Sequence, residues 1–160
     1  MRYINGACIA EAFKRLRQRG LKLSAAESCT GGMFTKLLTD FAGSSDVLDL
    51  SMVTYANGAK VKFLGVPQED IDAYGVVSRE VAIKMAEGIC KAFGADVGVG
   101  ITGIAGPGGG STEKPVGLVW TAVHYNGQTH TCALRLSGSR DDIRKKTCLC
   151  VYANICDILN

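Results

Sequence analysis

The sequence predicts an α/β protein with a mixed, mainly parallel sheet of about five strands, and three observations support this class. Helical and extended patterns alternate along the chain, as they do where helices connect parallel strands. The Asn126-Gly127 pair separates two extended segments, which predicts one antiparallel hairpin. The chain has 160 residues, 47% of them hydrophobic, so we expect residues 1–160 to form a single domain with its own core.

The individual elements follow from hydrophobic periodicity and from the glycines that punctuate it. Strands are predicted at 21–26, 47–54, 95–102, 116–125 and 128–136. Helices are predicted at 7–19, 30–41, 57–64, 79–93 and 140–158, with a short turn or helix beginning at Pro67. Gly65 and Gly94 are expected to end helices, and Ser78 is expected to cap the start of the helix at 79–93.

Charge and hydropathy exclude two functional classes. The net charge is only +3, and the basic cluster Lys14, Arg15, Arg17 and Arg19 has the spacing of a solvated helix face, so no nucleic-acid partner is expected. No apolar run approaches the roughly 20 residues of a membrane helix. The N-terminal segment has the pattern of an amphipathic helix rather than a cleavable signal, which predicts a cytoplasmic protein.

The seven cysteines are predicted to be free thiols. They are Cys8, Cys29, Cys90, Cys132, Cys148, Cys150 and Cys156, an odd number without a C-x-x-C pair. Most lie in apolar stretches, where cysteine packs as a small hydrophobic residue. With only two histidines in the chain no zinc-like spacing occurs, so we expect no structural metal.

Two short motifs are interpreted as structural or coincidental. GVGITG at 98–103 matches G-x-G-x-x-G, but Gly106-Pro107-Gly108 prevents the helix that a dinucleotide site needs. Its glycines therefore predict close packing of a strand against a helix. STEK at 111–114 matches S-x-x-K, which requires its serine at a helix start, and Pro115 makes a helix there improbable.

The segment AESCTGG is the strongest candidate for a functional site. Ser28 falls where a strand is predicted to end, and Thr30, Gly31 and Gly32 are predicted to form the first turn of the next helix. The N–H groups of a first helical turn lack partners within the helix and lie at the positive end of its dipole. They predict an anion cradle or an oxyanion hole beside the Ser28 hydroxyl, although a plain helix N-cap gives the same pattern.

A nucleophilic Ser28 requires a base, and the sequence offers Lys60. The segment YANGAK begins at the end of the second predicted strand, so Tyr55, Asn57 and Lys60 are expected to face one crevice. A lysine base must be neutral, and burial must lower its pKa from about 10.4. An exposed helix lysine is the alternative. Cys29 is the rival nucleophile, because a thiol at a helix N-terminus is easily ionised.

Six sequence motifs follow one another along the chain in a specific order: AESCTGG, GSSD, VTYANGAKVKFLGV, GVVSREVAIKMAEG, GITGIAGPGGGSTEKPVGLVW and GSRDDIR. They resemble the carboxy-terminal domain of the CinA competence-damage proteins. The resemblance that they carry covers about residues 7 to 157. The resemblance implies a three-layer α/β/α sandwich, a homo-oligomer and no metal or organic cofactor. It also implies hydrolysis of the carboxamide of nicotinamide mononucleotide (NMN) to nicotinate mononucleotide and ammonia, in pyridine-nucleotide salvage.

The resemblance further implies a Ser-Lys arrangement, with Ser28 as nucleophile, Lys60 as general base and Tyr55 as a supporting hydroxyl. The oxyanion and substrate-binding candidates are Thr30, Gly31, Gly32, Asn57, Thr102, Gly103, Gly106, Gly108 and Arg140. The glycine loop at 103–110 and Arg140, with Arg144 as a second choice, are expected to hold the substrate phosphate.

The chain departs from the family pattern just before Val53. LDLSM stands there in place of a glycine-rich segment, so Leu50 and Ser51 would narrow the pocket if they line it. Two other functions remain open. One is a non-catalytic module that binds a nucleotide or a protein partner in competence or DNA damage. The other is a serine amidase or esterase that acts on a different phosphorylated substrate.

Overall fold

Five strands form one mixed sheet in the order β2-β1-β3-β4-β5. They are β1 (Leu23–Glu27), β2 (Leu48–Val53), β3 (Val97–Gly103), β4 (Leu118–Tyr125) and β5 (Gln128–Arg135). β1 pairs in parallel with β2 and β3, whereas β3 with β4 and β4 with β5 pair antiparallel. The structure is a computed structural model and describes residues 6–160. It confirms the predicted fold class, with β1, β2 and β3 as the parallel part.

Six helices cover the two faces of the sheet. They are α1 (Ala7–Gln18), α2 (Met33–Thr39), α3 (Asn57–Leu64), α4 (Gln68–Tyr74), α5 (Arg79–Phe93) and α6 (Arg140–Ile158). α1, α2 and α6 pack into one core on one face, and α3, α4 and α5 form the layer on the other. Among residues 6–160, no helix combines the length and apolar character needed to cross a membrane.

Local sequence signals explain where several elements begin and end. Gly65 and Gly94 follow α3 and α5 in the left-handed conformation that ends a helix. The hydroxyl of Ser78 accepts a hydrogen bond from the Val81 N–H and caps α5, as predicted. Asn126 and Gly127 both have positive φ, 50° and 74°, and connect β4 to β5 in the predicted hairpin.

The glycines of GVGITG allow β3 to lie directly against α5. A Cβ atom at Gly98 would be 2.2 Å from the Ala86 carbonyl oxygen, and one at Gly100 would be 2.3 Å from that of Ala82. Neither distance is compatible with a side chain, so the motif serves strand–helix packing. This confirms the structural interpretation.

The helix predicted at 30–41 is wrong at its first turn, because α2 begins only at Met33. Gly31 and Gly32 have φ values of 59° and 93°, which a right-handed helix does not allow. Thr30, Gly31 and Gly32 instead form a turn that leads from β1 into the helix. The glycines are needed for this left-handed backbone.

The solvated face predicted for the basic cluster of α1 is correct for Lys14, Arg17 and Arg19, which are exposed, but not for Arg15. The Arg15 guanidinium donates to the Cys156 carbonyl oxygen at 2.6 Å. A cation at the last carbonyls of a helix is favourable, so Arg15 joins α1 to the end of α6.

Candidate active site

The carboxyl ends of the three parallel strands meet at one crevice. Ser28 follows β1, Thr54 and Tyr55 follow β2, and β3 ends at Gly103. The chain leaves β1 through α2 on one face and leaves β2 through α3, α4 and α5 on the other, so β1 lies at a topological switch point. A cavity of about 480 Å³ opens there. The catalytic candidates, Asn57, Thr102, Gly103, Gly106, Gly108 and Arg140 line it, whereas Thr30, Gly31, Gly32 and the second-choice Arg144 do not.

Ser28 and Lys60 are in direct contact at the bottom of this cavity. The Lys60 Nζ lies 3.1 Å from the Ser28 Oγ, 2.6 Å from the Thr54 carbonyl oxygen and 3.3 Å from that of Tyr55. A neutral amine has two N–H donors and one lone pair. The two carbonyls can therefore accept both N–H groups, which leaves the lone pair for the Ser28 hydroxyl proton.

Burial favours this neutral form of Lys60. Its side chain is 0% exposed and forms none of the ion pairs found among residues 6–160. Desolvation lowers its pKa from 10.5 to about 8, against a small opposing effect of the neighbouring Cys29. A lysine of this kind releases its proton in the pH range where an enzyme can use it as a base.

Cys29 is directed into the core and is a poor rival for Ser28. It is 6% exposed and belongs to the core cluster that α2 and α6 share with the sheet. Desolvation is the main reason that its pKa is raised to about 11, so the thiolate is scarce near neutral pH. Cys29 is also among the residues that line the cavity, but its burial and its raised pKa make it a much weaker nucleophile than Ser28 beside Lys60.

Two of the three N–H groups expected to form the oxyanion hole, those of Gly31 and Gly32, are already in use. The Gly31 N–H donates to the Ser28 carbonyl oxygen at 3.0 Å, and the Gly32 N–H donates to the Glu27 carboxylate at 3.0 Å. By contrast, the N–H groups of Cys29 and Thr30 have no acceptor among residues 6–160. The free donors are therefore the expected N–H group of Thr30 and that of Cys29, which lies one residue closer to Ser28.

Tyr55 contacts Lys60 through its main chain, whereas its hydroxyl lies at the rim. The Tyr55 hydroxyl oxygen is 3.0 Å from Nη2 of Arg140, and the Tyr55 side chain is 61% exposed. Arg140 also donates from Nη1 to the Gly106 carbonyl oxygen at 2.6 Å. Arg140 thus links the segment after β2 to the glycine loop, and the Tyr55 hydroxyl is bonded to Arg140 rather than to Lys60.

The glycine loop contributes a row of free backbone donors. Among residues 6–160, the N–H groups of Ala105, Gly106, Gly108 and Gly109 find no acceptor, and all four residues line the cavity. The Gly106–Pro107 peptide bond is cis. Unpaired N–H groups at a cavity wall can bind an anion.

Thr102 and Asn57 also line the cavity. The Thr102 hydroxyl donates to the Val76 carbonyl oxygen at 2.8 Å, which ties β3 to the segment before α5. Its oxygen keeps acceptor capacity toward the cavity. Asn57 is the exposed first residue of α3, so its amide is available to a ligand.

Arg144, the second choice for phosphate, is committed elsewhere. Its Nη2 and Nε donate to the Thr30 carbonyl oxygen at 2.8 and 3.3 Å. It does not line the cavity. Arg140 and Arg144 are one helical turn apart, but only Arg140 reaches the crevice, and Arg144 fixes the turn after Ser28.

Lys114 is a cavity residue that the sequence interpretation missed. The STEK segment forms a turn rather than a helix, with the Lys114 N–H donating to the Ser111 hydroxyl at 3.0 Å. The Lys114 Nζ donates to the Tyr74 carbonyl oxygen at 2.6 Å, and both Ser111 and Lys114 line the cavity. The sequence feature that could have identified Lys114 as a cavity residue is its position in the same loop as the glycines at 103–110.

The unusual LDLSM segment lies outside the cavity. Leu50 and Ser51 belong to β2, an edge strand of the sheet, and neither lines the crevice. The Ser51 hydroxyl instead lies 2.5 Å from that of Thr35. Among the described residues, the pocket is therefore not narrowed by this departure.

Comparison with known proteins gives a consistent result. Residues 6–159 match the family model described as CinA C-terminal domain. The chain is 53% identical over 129 residues to a putative competence-damage inducible protein of Moorella thermoacetica, which covers 81% of this chain and 31% of that protein. It is 48% identical over 134 residues to a CinA-like protein of Kosmotoga olearia, with coverage of 84% and 32%. The chain thus spans about a third of the length of these relatives.

Solved structures show the same fold over the whole chain. The competence/damage inducible protein CihA of Agrobacterium tumefaciens superimposes with a TM-score of 0.91 at 41% identity, covering 100% of this chain and 99% of that chain. A competence-damaged protein (CinA) superfamily protein of Klebsiella pneumoniae gives a TM-score of 0.92 at 31% identity, covering 96% of each chain.

Proposed function

The chain belongs to the CinA C-terminal domain family, and on this premise we propose that it hydrolyses the carboxamide of NMN to nicotinate mononucleotide and ammonia. The observation that carries the proposal is the 3.1 Å contact between the Lys60 Nζ and the Ser28 Oγ in a cavity. A buried lysine beside a serine at a strand end supports nucleophilic catalysis. Pyridine-nucleotide salvage in the cytoplasm, by a homo-oligomer, is the proposed setting, and seven free thiols suit such a reducing compartment.

In the proposed first half-reaction, neutral Lys60 accepts the Ser28 hydroxyl proton while the Ser28 Oγ bonds to the carboxamide carbon. The N–H group of Cys29, which lines the cavity, is the proposed donor to the oxyanion, and one such donor contributes about 3 kcal/mol. The C–N bond then breaks, the protonated Lys60 gives its proton to the leaving nitrogen, and ammonia departs.

The second half-reaction returns the enzyme to its starting state. Water attacks the carbonyl carbon of the Ser28 ester and gives a proton to Lys60. The ester C–O bond breaks, and the Ser28 oxygen takes the proton back from Lys60. The product is released as the carboxylic acid, which ionises by giving its proton to solvent, and no other reactant is needed.

Other residues of the cavity lining favour a phosphorylated substrate. Arg140 and Lys114 bring two cations to the cavity, and the glycine loop adds the free N–H groups of Gly106, Gly108 and Gly109. Arg140 and Lys114 each use part of their donor capacity within the protein and retain the rest. A phosphate with two negative charges suits this donor set.

The proposal is tested by ammonia release from NMN, nicotinamide riboside and nicotinamide. We expect kcat/KM for NMN to exceed that for the riboside by roughly 100-fold, since the riboside lacks only the phosphate. Arg140→Met should remove much of this preference and leave the riboside rate nearly unchanged. No ammonia from NMN with folded protein, or equal rates with nicotinamide, would reject the proposal in favour of another substrate or a binding module.

The pH dependence of the reaction should report the ionisation of Lys60. Because the base must be neutral and its pKa is about 8, we expect kcat/KM to rise with pH, nearly tenfold per unit below the inflection, and to level off above it. The measurement should start at about pH 6.5, since a phosphate ester titrates near 6. A rate that stays constant from pH 6.5 to 9 would contradict a lysine base.

A further inference from the structure

Glu27, the residue before Ser28, is a carboxylate buried without a cationic partner. It is 0% exposed, and none of the ion pairs found among residues 6–160 includes it. A buried charge requires compensation by an opposite charge or by several hydrogen bonds. The residues that compensate this charge all belong to the start of α2.

Four donors surround the Glu27 carboxylate. Oε2 accepts from the N–H groups of Gly32 at 3.0 Å and Phe34 at 3.1 Å. Oε1 accepts from the N–H group of Thr35 at 2.9 Å and from its hydroxyl at 2.7 Å. These N–H groups lie at the start of α2, where the helix dipole also favours a negative charge. These hydrogen bonds from the Glu27 side chain therefore link the end of β1 to the first turn of α2.

Residues 28–32, which we call the Ser28 turn, connect the two elements that Glu27 links. A second contact holds this turn from its other side. Arg144 donates to the Thr30 carbonyl oxygen at 2.8 Å, so a contact fixes the chain on each side of Ser28. Because side chains alternate along a strand, Glu27 points toward α2 while Ser28 points toward α3, which carries Lys60. The left-handed Gly31 and Gly32 do not favour this turn by themselves, since glycine populates many other conformations.

We infer that Glu27 is a positioning residue, whose carboxylate holds the Ser28 turn so that the Ser28 Oγ stays in contact with the Lys60 Nζ. Glu27 does not line the cavity and is not proposed to touch substrate. The inference rests on the proposed function for its kinetic consequences only. The geometry of the turn exists whatever the substrate is.

The test uses Glu27→Gln, which keeps the size of the side chain but replaces one acceptor oxygen by an NH₂ group. We expect kcat for NMN to fall by roughly 10- to 100-fold with KM changed less than about twofold, since small misplacement of a nucleophile has effects of this size. The Lys60 pKa, measured by NMR titration of ¹³C-labelled lysine, should rise by roughly one unit as the Ser28 turn loosens and water reaches the amine.

The lysine titration separates failure of this inference from failure of the proposed function. If wild type releases no ammonia from NMN but the Lys60 pKa rises in Glu27→Gln, the function is wrong and the positioning role stands. If the folded variant keeps both kcat and the wild-type Lys60 pKa, the positioning role is wrong. A residue that only stabilises the fold would lower the melting temperature without moving the pKa.

A second variant keeps the test valid if Glu27→Gln does not fold. Thr35→Val removes one of the four donors to the carboxylate, together with the contact to the Ser51 hydroxyl, and preserves the shape of the side chain; Ser51→Ala removes the Ser51 contact alone and should leave kcat unchanged. For Thr35→Val we expect a smaller change in the same direction, roughly two- to fivefold in kcat. Thr39→Val is the matched control, because Thr39 is exposed at the other end of α2 and, within residues 6–160, its hydroxyl bonds only to the Lys36 carbonyl oxygen. A Thr35→Val protein indistinguishable from Thr39→Val would overturn the inference.

Discussion

Ser28→Ala and Lys60→Met should each lower kcat/KM for ammonia release from NMN by at least roughly 10³-fold. Ser28→Ala removes the atom that attacks the carboxamide, and Lys60→Met removes the only group within hydrogen-bonding distance of the Ser28 Oγ among residues 6–160. Nucleophile and base act as a unit, so the double variant should be little worse than either single variant. Circular dichroism and a single-turnover ammonia assay would establish that the loss is chemical.

Two variants serve as controls for this result. Lys62→Met changes an exposed lysine two residues further along α3 and should retain wild-type activity. Cys29→Ala should retain most of the activity, because its thiol lies in the core and its pKa is raised to about 11. If Cys29→Ala is inactive while Ser28→Ala turns over, the nucleophile is Cys29. If Lys60→Met remains active, the Ser-Lys mechanism is wrong.

The sequence was sufficient for the architecture because periodicity and turn residues act locally. Asn126-Gly127 specifies its hairpin, and Gly65 and Gly94 end their helices, whatever surrounds them. The contact between Ser28 and Lys60 also follows from simple topology. Both residues come after the ends of neighbouring parallel strands, and such ends meet at one edge of a sheet.

Details that depend on tertiary contacts could not be predicted in this way. A glutamate such as Glu27 is normally exposed, so nothing local indicates that it takes up the N–H groups expected to be free at the start of α2. The sequence predicts that Gly31 and Gly32 belong to the first turn of a helix with free N–H groups, whereas both adopt a positive φ in a turn before the helix. The contacts of Lys60 with Thr54 and Tyr55 are made to main-chain carbonyl oxygens. Because every residue type has such an oxygen, these contacts cannot be predicted from the residue types.

The burial of Lys60 should also be visible in the pH dependence of stability. In the unfolded chain Lys60 keeps its proton up to a pH of about 10.5, but in the folded protein it loses it at about 8. Below pH 8 both states are protonated, and the folded state bears the full cost of the buried charge. This cost is about 3 kcal/mol for a shift from 10.5 to about 8. Between pH 8 and 10.5 the unfolded state binds more protons, so the contribution of Lys60 to stability rises with pH.

Urea unfolding of wild type and Lys60→Met at pH 7 and pH 10 would measure this effect. The free energy of unfolding of wild type, relative to that of Lys60→Met, should increase by about 2–3 kcal/mol between the two pH values. Other groups that titrate in this range, such as Cys90 and Cys156, are present in both proteins, and their effects cancel in the difference. Lys62→Met should give no such pH-dependent difference, because its lysine is exposed. A difference between wild type and Lys60→Met that is constant with pH would mean that folding does not change the proton affinity of Lys60, and a neutral lysine base near pH 8 would then lose its physical basis.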